Sequence, residues 1–161
     1  MKKITFTDVS KLIVALFVCQ FAGLLSFLVT IPTIPVWYTT LNKPFFTAPN
    51  WLFAPVWTIL FLLMGFSLFL VWRQGFKKKK IRQAMCVFSF QFVLNILWSA
   101  LFFGLKSPGF AFAEILVLLF AIVLNITFFY PISKRAAWLL APYFIWVIYA
   151  SMLNYAVWIM N

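Results

Sequence analysis

Apolar runs at residues 12–31, 51–72, 84–103, 110–130 and 136–160 fill almost the whole chain. A helix rises 1.5 Å per residue, so roughly 20 mostly apolar residues cross a hydrocarbon core of ~30 Å. Each run meets that length. With 66% apolar and only 9% charged residues, the chain cannot clothe a water-facing surface. The fold expected is an all-α integral membrane bundle of five helices, a single domain over residues 1–161. The opening MKK resembles the start of a signal peptide. The apolar run behind it is too long and lacks a small-x-small cleavage site, so it reads as an uncleaved first helix.

The formal net charge of +11 comes from thirteen Lys/Arg against Asp8 and Glu114. Most of these cations fall between apolar runs, without a basic helix face, so nucleic acid is not the expected partner. Lys2, Lys3, Lys11, Arg73, Lys77–Lys80, Arg82, Lys134 and Arg135 fall on one side of a five-span layout, Lys43 and Lys106 on the other. The bias places the amino terminus in the cytoplasm and the carboxyl terminus outside, with the KKKK run at anionic headgroups. There is no histidine, and neither Cys19 nor Cys86 has a metal-ligating neighbour in sequence. A zinc site, a disulfide framework and imidazole chemistry are not expected.

The later connections are short, which favours antiparallel packing of successive helices. The first, residues 32–50, is long and holds Trp37, Tyr38, Phe45, Phe46 and four prolines. Aromatic groups are costly to leave in water and prolines stiffen the backbone, so a folded lid over an internal pocket is expected.

Polar side chains inside hydrocarbon must find partners or a cavity. Gln91, Asn95 and Trp98 share one face of the third helix, either as interhelical hydrogen bonds or as ligand contacts. Glu114 falls on the fourth helix near the mouth of a pocket or close to Lys106, either as a structural carboxylate paired with a polar neighbour or as a catalytic acid, and Asn125 follows on nearly the same face as a packing hydrogen bond. On the fifth helix Trp138, Pro142, Trp146, Ala150 and Asn154 form a seam with a kink near Pro142. Helical rise puts Trp146 about 12 Å from the cytoplasmic end and Trp57 about 9 Å from the opposite one. That offsets the two indoles by about 9 Å across a ~30 Å core, the scale of a large planar ligand, and a spacing that two indoles packed between helices would equally show. Ala15, Cys19 and Gly23, with Ala22 and Ser26, give the first helix small faces that suit close packing within the chain or in a homodimer.

The stretch around W-Y-x-x-L-x-K-P, at Trp37, Tyr38, Leu41, Lys43 and Pro44, continues to Pro49, Trp51 and P-V-W at residues 55–57. With QFVLNILWSALFFG at 91–104 and APYFIWVIYASMLNYAVW at 141–158, it resembles the tryptophan-rich sensory protein family, also called translocator proteins or peripheral-type benzodiazepine receptors. The resemblance covers residues 12 to 159. It implies a five-helix bundle, commonly a homodimer, with a pocket under the first loop that takes protoporphyrin IX or similar tetrapyrroles without a further cofactor. It also implies light-dependent protoporphyrin breakdown, ascribed to some bacterial members, with Trp57 and Trp146 as its candidate catalytic residues. Position by position, the pocket residues it implies are Tyr38, Trp57, Asn95, Trp98, Trp146 and Ala150. The animal cholesterol pattern needs a Lys or Arg after a fifth-helix tyrosine, and LNYAVWIMN offers neither. A bacterial cell membrane and a porphyrin receptor or sensor are therefore expected, the alternative being a transporter or scavenger of porphyrin or lipid.

Overall fold

A computed structural model describes residues 5–161 of the chain; Lys2 and Lys3, counted above with the basic side, lie outside them. Helix α1 (Phe6–Thr30) begins six residues ahead of its apolar run. A capping box accounts for the difference. The Asp8 N–H donates to Thr5 Oγ1 at 3.3 Å, and the Thr5 N–H donates back to the Asp8 carboxylate at 3.2 Å. Asp8 also pairs with Arg73 at 3.6 Å, tying the start of α1 to the end of α2 (Asn50–Trp72).

Helix α3 (Lys79–Ser99) takes Lys79, Lys80 and Arg82 into its first turn, five residues before the run at 84–103. Apolar counting marks where the apolar run begins, whereas the helix starts ahead of it. Its other end widens into a π turn, Ala100–Gly104, closed by the Leu105 N–H donating to the Ala100 carbonyl at 2.8 Å. Helix α4 (Pro108–Phe129) opens on a proline, which has no N–H to leave unpaired.

The fifth span is two helices, α5 (Lys134–Leu139) and α6 (Ala141–Met160). The sequence suggests one helix kinked near its centre. The break instead falls at Leu140, close to the basic end, because Pro142 is accommodated in the first turn of a new helix.

Helix α1 packs along α2, α3 along α4, and α4 along α6. Successive order does not set every neighbour. Although only residues 73–78 join α2 to α3, these two helices meet little, while α1 and α2, separated by the long loop, share the most extensive contact. α2 also packs on α5, where Ser67 Oγ donates to the Ala136 carbonyl at 2.7 Å, yet it barely touches α6. The break at Leu140 lets the fifth span hold α2 at the basic end and lean on α4 beyond it.

Burial is inverted relative to a water-soluble domain. Gln91, Asn95, Asn125, Asn154 and Ser67 are buried, while Phe17, Phe120 and Ile145 face outward. That is the arrangement a hydrocarbon solvent selects. The small face of α1 closes within the chain, with Ala15, Cys19 and Ala22 buried against α2. A methyl group at Gly65 would sit 2.9 Å from Leu16 Cδ2 and 3.0 Å from Leu16 Cα. Gly65→Val should therefore push α1 off α2 and cost about 1–3 kcal/mol, the range for overpacking. Thermal unfolding in detergent micelles measures it; an unchanged midpoint would contradict the close approach.

Candidate functional site

The connection between α1 and α2 is folded down onto the bundle. Short 3-10 turns at Ile31–Thr33 and Tyr38–Thr40 bend the chain so that Tyr38 is buried, 6.4 Å by ring centre from Phe102 and 5.8 Å from Phe103. Trp37 meets the edge of Phe102 at 5.6 Å. The π turn supplies both phenylalanines. Lys43 Nζ lies 4.5 Å from the centre of the Tyr38 ring and donates to the Tyr38 carbonyl at 2.6 Å. Burial, with Tyr149 nearby, pushes the Tyr38 hydroxyl above its ordinary pKa, so it stays protonated through the physiological range.

Two further ties fix the lid to α6. Tyr149 Oη accepts the Ala48 N–H at 2.9 Å and donates to the Phe46 carbonyl at 3.1 Å. The Asn161 side chain pairs with the backbone of Asn42 at 2.9 and 3.0 Å. Not every aromatic group turns inward: Phe45 is fully exposed and Trp51 largely so, as groups meeting the membrane interface would be.

Below the lid lies a cavity of about 510 Å³, within the range of small-molecule sites. Tyr38, Trp57, Asn95, Trp98, Trp146 and Ala150 all line it. It exists because α2 and α6 stand apart above the level where α2 meets α5. Trp57 comes from α2 and packs on Phe61 at 5.6 Å and Tyr143 at 6.4 Å. Trp146 comes from α6 and packs on Phe53 at 5.8 Å and Tyr149 at 5.2 Å. Since Phe53 is one turn nearer the lid than Trp57, the indoles are stepped by about 5 Å, with Trp146 on the lid side. The larger offset inferred from sequence, with Trp146 the deeper, is thereby corrected. α6 runs on past the start of α2 to meet the lid at Asn42, so depths counted from apparent helix ends do not share a common origin.

The polar residues of α3 divide between the cavity and the bundle. Asn95 lines the cavity and donates to the Tyr143 hydroxyl at 2.8 Å. Gln91 faces away from it, donating to the same hydroxyl at 2.9 Å and accepting from Asn125 at 3.1 Å. Tyr143, fully buried, thus joins α6 to α3, and Asn125 extends the chain of bonds to α4. Tyr143 follows Pro142 in the chain and lies off the seam of the fifth helix. Its spacing carries no signal, because its importance comes from two amides on another helix.

The Trp98 indole N–H donates to Asn154 Oδ1 at 3.0 Å, and Asn154 passes a bond on to the Pro108 carbonyl at 2.8 Å. Trp98 therefore offers the cavity its ring, stacked on Phe102 at 5.3 Å, and not its N–H. Glu114 is buried on α4 and lines neither this cavity nor the open cleft that holds Lys106; it pairs with no cation among the described residues. The expected place at a pocket mouth or beside Lys106 is not where it lies. Trp146 Nε1 and Ser26 Oγ, on two residues that line the cavity, are buried without a hydrogen-bond partner among the described residues.

A lidded bundle of five apolar helices around an aromatic cavity defines a multi-pass membrane protein with an internal small-molecule compartment. Residues 15–159 match the TspO/MBR family, and the chain belongs to it. It is 38% identical over 154 residues to the tryptophan-rich protein TspO of Archaeoglobus fulgidus, covering 96% of this chain and 99% of that one. It is 45% identical over 125 residues to the tryptophan-rich protein TspO of Chlorobaculum tepidum, covering 78% and 79%. The human translocator protein is 36% identical over 124 residues, covering 76% and 73%.

Tyr143→Phe should leave the Gln91 and Asn95 amides without their shared acceptor. A destabilisation of about 1–2 kcal/mol is expected, between typical membrane hydrogen bonds and a fully stranded buried donor. Reversible unfolding in mixed micelles reads it, and a loss below about 0.3 kcal/mol would show that the hydroxyl does not organise α3 and α6.

Proposed function

We propose that this chain is a membrane receptor or sensor that holds protoporphyrin IX, or a similar flat tetrapyrrole, between Trp57 and Trp146. The observation that carries the reading is the pair of indoles on opposing helices of one cavity. Ring stacking and apolar burial supply the affinity. Ala150 keeps room for the macrocycle, while Tyr38 and Asn95 provide polar edges.

The reading extends to a light-dependent step. Dissolved dioxygen is reduced and the macrocycle oxidised, while Trp57 and Trp146 relay the electron and end the cycle unchanged. A homodimer in a bacterial-type cell membrane, with the basic end cytoplasmic, completes it; the distribution of Lys and Arg supports the orientation.

Protoporphyrin IX titrated into purified protein in the dark should quench tryptophan fluorescence to saturation. Trp57→Phe or Trp146→Phe should each raise Kd about five- to tenfold, the equivalent of one aromatic contact of ~1 kcal/mol. The absence of saturable quenching would remove the reading. Under illumination, the double variant loaded to saturation should lose no porphyrin while the parent does; equal loss would eliminate the two indoles from the chemistry.

A further inference from the structure

The cavity is closed on one side and open on the other. Asn95, Ser99, Phe102, Ala150, Leu153 and Val157, on the α3 and α6 side, line it and are buried behind other helices. Leu24 and Phe27 of α1, with Ala54 and Thr58 of α2, line the same space and are exposed. The change happens at one level. Toward the basic end, Ala15, Cys19 and Ala22 are buried against Leu60, Phe61, Met64 and Leu68. Gly23 is the last point of close approach, where an added methyl would come within 2.7 Å of the Phe61 ring. Beyond it neither helix has a buried residue before the lid. Gln20 Nε2, donating to the Thr58 carbonyl at 3.0 Å, forms the sill of the opening.

We infer that this gap between the lid-side halves of α1 and α2 is a lateral portal, through which a flat apolar molecule dissolved in the bilayer passes into the cavity. Two observations select the bilayer over water as its source. The rim is flanked by exposed Phe21, Leu28 and Ile59, and from residue 12 to residue 72 the one charged residue is Lys43, in the lid. The aqueous route is the one that the structure fastens, through Tyr149 to Phe46 and Ala48 and through Asn161 to Asn42. A molecule partitioned into hydrocarbon meets the open side at the depth of the cavity and need not part the lid. The inference rests on the ligand reading above for the identity of the cargo, but the portal itself is testable without it.

Leu16 lies opposite Gly65 and Gly23 opposite Phe61, so the same antiparallel register sets Phe27 against Ala54. A chain carrying Phe27→Cys, Ala54→Cys and Cys86→Ser in nanodiscs can be bridged across the gap with a short bis-maleimide. A second chain, with Asn42→Cys, Asn161→Cys and Cys86→Ser, can be locked at the lid by oxidation. Each is compared with its own unbridged form. Bridging α1 to α2 should slow protoporphyrin IX uptake at least tenfold and slow release of porphyrin loaded beforehand by a similar factor, whereas locking the lid should change neither more than twofold. The reverse pattern would overturn the portal.

An apolar diazirine dissolved in the bilayer supplies the independent readout. On photolysis it should label Ser99 and Ala150 on the far wall before bridging, and at least fivefold less after it. Labelling indifferent to the bridge would also overturn the portal. Bridge-sensitive labelling in a chain that binds no porphyrin would uphold the portal and remove the porphyrin reading.

Discussion

The Tyr143 hydroxyl, buried between two amides of α3, is the interaction on which the rest of the bundle depends. In a bilayer the lipid tails are as apolar as leucine, so burial alone does not choose which helix faces meet. Polar partners and close-fitting small residues make that choice. Here one phenol gathers Gln91 and Asn95, and Gln91 in turn takes Asn125 of α4. Three helices are thus held in register behind the cavity, while Trp98, Asn154 and the Pro108 carbonyl repeat the device nearer the lid.

The opposite side is organised by shape. Gly65 and Gly23 bring α1 against α2 over their basic-end halves, and α5 fastens α2 through Ser67. With the broken fifth span leaning away toward α4, the two groups of helices separate above that clamp. The cavity is the space that results. The lid covers it with Tyr38 and Trp37 against the phenylalanines of the π turn.

Much of this was legible in the sequence because hydrocarbon imposes simple rules. Span length, the folded lid and the inward turn of Asn95, Trp98 and Asn154 follow from apolar runs and the scarcity of polar groups within them. The six residues named from the motif line one cavity, a matter of position and not of ligand contact. What sequence missed depends on contacts between distant segments. The step between Trp57 and Trp146 reflects the stagger of α2 and α6, which no count along one helix contains. The break at Leu140 and the distance between α2 and α3 reflect which helix offers a better fit. Glu114 looked like a mouth residue by depth alone, yet the helix turns it inward.

Membership of the TspO/MBR family places the chain among proteins whose names speak of translocation and of tryptophan. The central claim is that Trp146 and Trp57 hold a flat ligand between them. ¹⁵N-indole labelling with two-dimensional NMR in nanodiscs tests it most directly, since each tryptophan N–H reports separately. Saturation with protoporphyrin IX should shift the Trp146 and Trp57 indole signals and leave those of the exposed Trp51 and Trp138 in place. Shifts confined to Trp51 and Trp138, with Trp146 unmoved, would contradict it.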